Sequence, residues 1–238
     1  MPQHEQLPRH IAIIPDGNRR WAQAKQLKPI EGHRAGAQAF RAVAEYAAKR
    51  GIEYLSIWGL SLDNVARRPS LEVRGLLNLF TSEFRELAKT KFVHDEKINI
   101  SVIGEWRETF PLPLRREIEN VIAATKDYHN KYVTFFLAYD GIADMVHAVQ
   151  AIAEKTHAEK RATVTAATIK QHLLTKELPP VDLLIRTAGE PHLSGGFLMW
   201  DTTDAALHFS PRFWPDFTPE AFEEALQDYL QRQRRFGG

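Results

Sequence analysis

Short apolar runs alternate along this chain with segments whose apolar residues recur at helical spacing. His10 to Ile14 (HIAII) is the first run, and Pro15-Asp16-Gly17-Asn18 closes it, so it reads as a buried strand ending in a turn. Phe40, Val43, Ala44 and Ala47 then share one helical face, and Gly51 suits the helix stop. Ile52 to Leu60 predicts a second strand, Ile98 to Ile103 a third, Val133 to Ala138 a fourth and Val181 to Ile185 a fifth. Between them, Ser70 to Leu87, Leu114 to Ala124 and the stretch after Gly141 predict helices, the first with Leu76, Leu79 and Phe80 on one face. Towards the end, Thr218 is an N-cap with Pro219 at the first helical position, and Phe222, Ala225, Leu226, Tyr229 and Leu230 form an apolar stripe. Glu220, Glu223 and Glu224 lie early in that helix and Arg232, Arg234 and Arg235 late, an order that suits the helix dipole.

Strands alternating with helices imply an α/β fold with a mainly parallel central sheet flanked by helices. The 238 residues show no internal repeat or low-complexity linker, so one domain over 10–238 is expected, preceded by a polar extension over 1–9. Ligands of such sheets bind at the C-terminal ends of the strands.

Composition narrows the chemistry. A net charge of +1 argues against a strongly nucleic-acid-seeking surface, and no nucleic-acid partner is expected. The absence of cysteine excludes disulfides, thiolate catalysis and zinc sites of the cysteine type. No apolar run is long enough to span a bilayer, and the polar N-terminus lacks the apolar middle of a signal peptide, so a cytoplasmic location is expected.

The residues after each strand carry the chemistry. Gly17 permits close backbone approach, a helix starting near Asn18 would turn free N–H groups towards an anion, and Arg19 and Arg20 add forked donors for phosphate oxygens. Asp16 stands beside that anion site, an arrangement that calls for a bridging cation such as magnesium. The second strand is followed by a polar loop, Ser61 to Pro69, with Asn64, Arg67 and Arg68; the fifth by Arg186 and a glycine-rich loop that reaches Gly196 through His192 and Ser194. Taken alone, an Asp-Gly turn or a two-arginine loop is an ordinary surface feature. Three strand ends carrying Arg19, Arg20, Arg67, Arg68 and Arg186 read as a rim for two diphosphate groups; His33, at the start of the second helix, suits either a phosphate contact or a partly exposed cap. Neither a Walker loop nor a GxGxxG fingerprint occurs.

The segment His10 to Ala22 (HIAIIPDGNRRWA) resembles the signature of cis-prenyltransferases, the undecaprenyl diphosphate synthase family. Gly32-His33-Arg34-Ala35-Gly36 resembles a second motif, Ser61-Leu62-Asp63-Asn64 with Arg67, Arg68, Pro69 and Glu72 a third, Asp182 to Glu190 a fourth and Phe213 to Phe217 a later one. The ending Arg234 to Gly238 is similar as well, and the match runs in order from His10 to the last residue. The resemblance implies a magnesium-dependent prenyl transfer that joins an allylic diphosphate, farnesyl diphosphate in the first place, to isopentenyl diphosphate. Asp16 would hold magnesium against the allylic diphosphate, which Gly17, Asn18, Arg19, Arg20 and Trp21 would bind with His33 nearby. Asn64 and Ser61 would assist proton removal beside Arg67 or Arg68. Arg186, Ser194 and His192 would take the diphosphate of isopentenyl diphosphate. The resemblance further implies a homodimer whose Arg235-Phe236-Gly237 tail reaches the partner subunit's site, an apolar tunnel for the growing chain, an undecaprenyl-type product, and peripheral membrane contact for its release.

Several positions depart from the family pattern. Val65 stands for a tryptophan, Pro29 for an arginine and His192 for another arginine, and an extra residue precedes Pro69, which leaves Arg67 and Arg68 interchangeable. Ala206 stands where the family carries a metal-binding glutamate, with Asp204 and Asp201 as neighbouring carboxylates; two residues along a strand would keep the same face. The departures also fit a short-chain or irregular prenyl diphosphate synthase, or, through Ala206, a non-catalytic partner subunit.

Overall fold

The computed structural model describes residues 7–67, 70–159 and 163–232. β1 (His10–Ile14) leads through α1 (Asn18–Ala24) and α2 (Pro29–Lys49) to β2 (Tyr54–Ser61). α3 (Leu62–Arg67), α4 (Ser70–Leu87) and α5 (Lys91–Asp95) precede β3 (Ile98–Ile103). α6 (Trp106–Thr109) and α7 (Leu112–Thr125) precede β4 (Lys131–Tyr139), and α8 (Gly141–Glu159) and α9 (Ala166–His172) precede β5 (Leu183–Arg186). β6 (Ala206–Phe209), a 3-10 turn (Trp214–Asp216) and α10 (Pro219–Gln231) complete the single domain.

The strands form one all-parallel sheet in the order β3-β4-β2-β1-β5-β6. Its centre is apolar on both faces, as a parallel sheet between helical layers requires. Ile11 and Ile13 of β1 join Val43 of α2, Leu76 of α4, Ile118 of α7 and Phe222 of α10 on one face. Ala12 and Ile14 join Phe136, Leu184, Phe197 and Leu198 on the other. The chain winds from β1 towards β2 on one side and reaches β5 on the other. The crevice beyond the C-terminal ends of β1 and β5 is therefore the topological switch point, where such sheets hold ligands.

The boundaries of β1, β3 and α4 are those the periodicity predicts. β2 and β5 begin two residues later than expected, for a common reason: Ile52 and Val181 are apolar and buried, but their backbone bonds go elsewhere. Ile52 donates to Ala47 O at the end of α2, and Val181 donates to Asp201 O. β2 runs on to Ser61 through a bulge at Gly59, since Trp58 pairs with Phe136 and Leu60 with Leu137. A Cβ at Gly59 would stand 2.7 Å from the Leu137 side chain. Thr218 caps α10 as expected, accepting from Ala221 N, with Pro219 at the first position. Arg234 and Arg235 lie outside the described residues.

His10, at the start of β1, is fully buried. Pro179 O can only accept, so Nδ1–H donates to it at 2.8 Å, and Nε2 takes the Ser56 hydroxyl at 2.9 Å. Burial holds the ring below its ordinary pKa against the raising effect of the Pro179 bond.

Candidate active site

β1 delivers the chain to Pro15-Asp16-Gly17 at the switch point. Gly17 takes φ 101°, a left-handed conformation, and a Cβ there would meet the Phe213 ring at 2.6 Å and Ala188 at 2.9 Å. Its N–H donates to Asp16 Oδ1 at 2.6 Å, which fixes the carboxylate over the turn. Two arginines converge on that carboxylate. Arg186, the last residue of β5, donates from Nη2 to Oδ2 at 3.0 Å, and Arg20 of α1 stands 3.4 Å from Oδ1. The Arg186 side chain is only 6% exposed; Nη1 bonds to the carbonyl of His192 and Nε has no partner. Arg20 is held from its other side by Glu190 at 2.9 Å and lies over the Phe213 ring at 5.6 Å. The expected meeting of the first and fifth strand ends is thus present. α1 is a single short helix of seven residues, so the guanidinium groups, more than its free N–H groups, supply the positive charge.

The other sequence candidates fall in several places. Arg19 points to Glu72 of α4 at 3.4 Å. Trp21 commits its indole N–H to Asp216 at 2.8 Å and carries Lys25 over its ring. His33 lies inside α2, which begins at Pro29 rather than next to the histidine, and it faces the apolar pocket described below. Ser61 ends β2 and its Oγ accepts from Asn64 N at 3.0 Å, so the two open α3 together. Arg67 is 81% exposed and pairs with Asp63 of its own helix; Arg68 lies outside the described residues. His192 and Ser194 ride the loop after β5, with the His192 ring 3.9 Å from Glu190.

The carboxylates near Ala206 do not come to the site within one chain. Ala206 begins β6 opposite Leu183, while Arg186 pairs with Phe209 at the other end of that strand. Asp204 precedes the strand and Asp201 is buried against Lys170, so the same-face argument fails for both. Among the described residues no three histidine, aspartate or glutamate side chains cluster as a metal cage. Asp16 alone suits magnesium, which is commonly held by one or two carboxylates together with phosphate oxygens and water.

Residues whose part was not read from the sequence form a brace under the Asp16 turn. Trp214 is buried, donates its backbone N–H to Asp16 O at 2.9 Å and its indole N–H to Gly36 O at 2.8 Å. Thr187 Oγ1 also donates to Asp16 O, and Ala188 N and Gly189 N donate to Arg212 O and Ser210 O. The segment 210–216 therefore ties β1, α1, α2 and the loop after β5 into one unit. Trp214→Phe removes the indole N–H and half of the buried ring system, so it loses the bond to Gly36 O and leaves a cavity, together about 2–4 kcal/mol. It is expected to lower the melting temperature by about 5–15 °C. An unchanged thermal melt would remove that bond from the account.

Below the turn lies an apolar pocket of about 810 Å³, its open mouth included. Pro15, Asn18, His33 and Gly36 line it beside the Asp16 turn, and Phe40, Phe80, Phe84, Leu87, Phe135 and Leu137 line it further in. Asn18 Oδ1 is buried there without a partner, and a Cβ on Gly36 would meet it at 2.3 Å. A charged cluster at the mouth of an apolar recess suits a ligand with an anionic head and a hydrocarbon tail.

Residues 14–237 match the prenyltransferase family model described as undecaprenyl diphosphate synthase. The chain is 38% identical over 233 residues to the ditrans,polycis-undecaprenyl-diphosphate synthase ((2E,6E)-farnesyl-diphosphate specific) of Coxiella burnetii, covering 97% of this chain and 96% of that one. It is 37% identical over 239 residues to dehydrodolichyl diphosphate synthase 1 of Arabidopsis thaliana, covering 99% of this chain and 78% of that one. A solved structure of lavandulyl diphosphate synthase from Lavandula x intermedia, in complex with dimethylallyl diphosphate, superposes with a TM-score of 0.89 at 32% identity, covering 98% of this chain and 99% of that one.

Proposed function

The chain belongs to the undecaprenyl diphosphate synthase family of prenyl transferases, and from that premise we propose that it joins an allylic diphosphate, farnesyl diphosphate first among them, to isopentenyl diphosphate with Z geometry. The observation that carries the reading is Asp16 between Arg20 and Arg186 at the mouth of an apolar pocket. The allylic diphosphate sits at Gly17, Asn18, Arg19 and Arg20 with its hydrocarbon tail in the pocket, beside His33 and Trp21. Isopentenyl diphosphate is held by Arg186, Ser194 and His192. In the reaction the allylic carbon–oxygen bond breaks, a carbon–carbon bond forms and a proton leaves, with Asn64 and Ser61 assisting its removal.

Asp16 is now neutralised by two arginines. Magnesium, when bound at Asp16, supplies charge stabilisation to the departing diphosphate. Arg20 and Arg186 would offer their guanidinium donors to phosphate oxygens beside Asp16. Their donors are already aimed at one crevice, so little reorganisation is needed as negative charge develops. Burial of the tail favours binding by roughly 0.8 kcal/mol per CH2.

A homodimer is part of the proposal. Its support is the exposed apolar row Ile142, Val146 and Val149 on α8, with Met199 beside Gly196. The tail over 233–238, proposed to reach the partner subunit, lies outside the described residues. Among the described residues no helix is long and apolar enough to cross a membrane. A cytoplasmic enzyme that touches the bilayer only to release product completes the reading. The Coxiella relative's name points to an undecaprenyl-type product; the departures at Val65 and Ala206 support a short-chain or irregular product as second reading.

Purified protein incubated with farnesyl diphosphate, labelled isopentenyl diphosphate and magnesium is expected to form labelled prenyl diphosphates, and a chelator is expected to stop the reaction. No incorporation by the purified homomer would overturn the proposal in favour of a non-catalytic subunit.

A further inference from the structure

α2 and α4 run side by side in the same direction: Ile30 lies against Gly75 near their starts, and further along Arg41 Nη2 donates to Glu83 Oε2 at 2.6 Å. Both charged side chains line the apolar pocket, level with Phe40 and Phe84. Arg41 is 51% and Glu83 28% exposed, so the pair spans the solvent side of the pocket's inner half rather than its core. Aromatic rings line the pocket at this level. Phe135 of β4 meets the rings of Phe40 and Phe84 edge-on at 5.1 and 5.2 Å, and all three line the pocket.

A chain that outgrows the pocket must leave it, and the contact between α2 and α4 is bridged there by charge instead of aromatic packing. We propose that the Arg41–Glu83 ion pair is the latch of a side exit between α2 and α4, and that it governs how readily elongation continues once the chain has filled the pocket. This rests on the prenyl-transfer reading above. A hydrocarbon chain threading the gap parts the pair and takes both charges out of water, which disfavours each addition that pushes the chain further.

The test is product analysis with farnesyl diphosphate and limiting labelled isopentenyl diphosphate, which populates intermediate lengths. Arg41→Ala and Glu83→Ala are each expected to raise the ratio of products longer than the main wild-type product to those shorter by at least about threefold, with the rate of the first addition unchanged. The exchanged pair, Arg41→Glu with Glu83→Arg, is expected to return the ratio to that of the wild type. That rescue separates a charge latch from added room. An unchanged ratio in the single variants, or an exchanged pair that behaves like them, overturns the latch while leaving the prenyl-transfer reading in place. Absence of any incorporation by the wild type overturns that reading and the latch with it.

Discussion

Asp16→Asn is expected to remove prenyl transfer almost completely, by about three orders of magnitude or more in kcat, while the fold stands. The substitution is close to isosteric. Arg186 and Gly17 N donate to different carboxylate oxygens, so the one remaining side-chain oxygen keeps only one of these bonds, while the backbone carbonyl keeps its bonds from Trp214 and Thr187. What is lost is the charge that draws a divalent cation to the diphosphate, and a preorganised electrostatic contact of that kind is commonly worth a factor of 10²–10³ on its own. Asp16→Ala goes further and strips Arg186 of its counter-ion. One third of the Asp16 side chain is exposed, so that stability cost is about 1–2 kcal/mol, less than for a fully buried pair. Steady-state rates beside a thermal melt separate the two effects. Substantial turnover by a folded Asp16→Asn protein would take Asp16 out of the mechanism.

Gly32→Ala is expected to damage stability and turnover together. A Cβ at this position in α2 would stand 2.1 Å from the carbonyl oxygen of Asn18 and 2.9 Å from its carbonyl carbon. Those are backbone atoms of α1, so no rotamer change relieves the contact and α1 must move off α2. Overpacking of this kind costs about 1–3 kcal/mol. α1 carries Arg19 and Arg20 and opens directly from Gly17, so the displacement is passed to the diphosphate turn. A misplacement of about 1 Å at a reacting site costs on the order of a hundredfold in rate. A melting temperature several degrees lower and turnover down by roughly that factor are the expected pair of results. Wild-type rates in this variant would show that the α1–α2 spacing is slack.

Much of the fold was legible because its signal is local. The strand over His10 to Ile14 is a five-residue apolar run stopped by Pro-Asp-Gly, and the helix over Ser70 to Leu87 repeats its apolar face at helical spacing. The late starts of β2 and β5 were not legible, since Ile52 and Val181 are as apolar as strand residues and differ only in where their N–H groups go. β6 was not marked off as an element, because its four residues carry no pattern that separates them from a loop. At the site, Asp16, Arg20 and Arg186 could be nominated from their positions after strands. Arg67 could be nominated by the same rule, yet it turns to Asp63.

The sequence by itself determined which segments become buried strands and amphipathic helices, that they alternate, and that acidic and guanidinium groups follow the strands. Periodicity and turn chemistry act over a few residues, and so they can be read along the chain. Tertiary structure alone decided that β1 and β5 lie side by side, which brings Arg186 onto Asp16 and Glu190 onto Arg20 across about 170 positions. It also decided that Trp214 locks the turn to α2, and that Arg41 meets Glu83 over an apolar pocket. Such pairings depend on strand order and on the distance between packed helices, and no local pattern of residues encodes either.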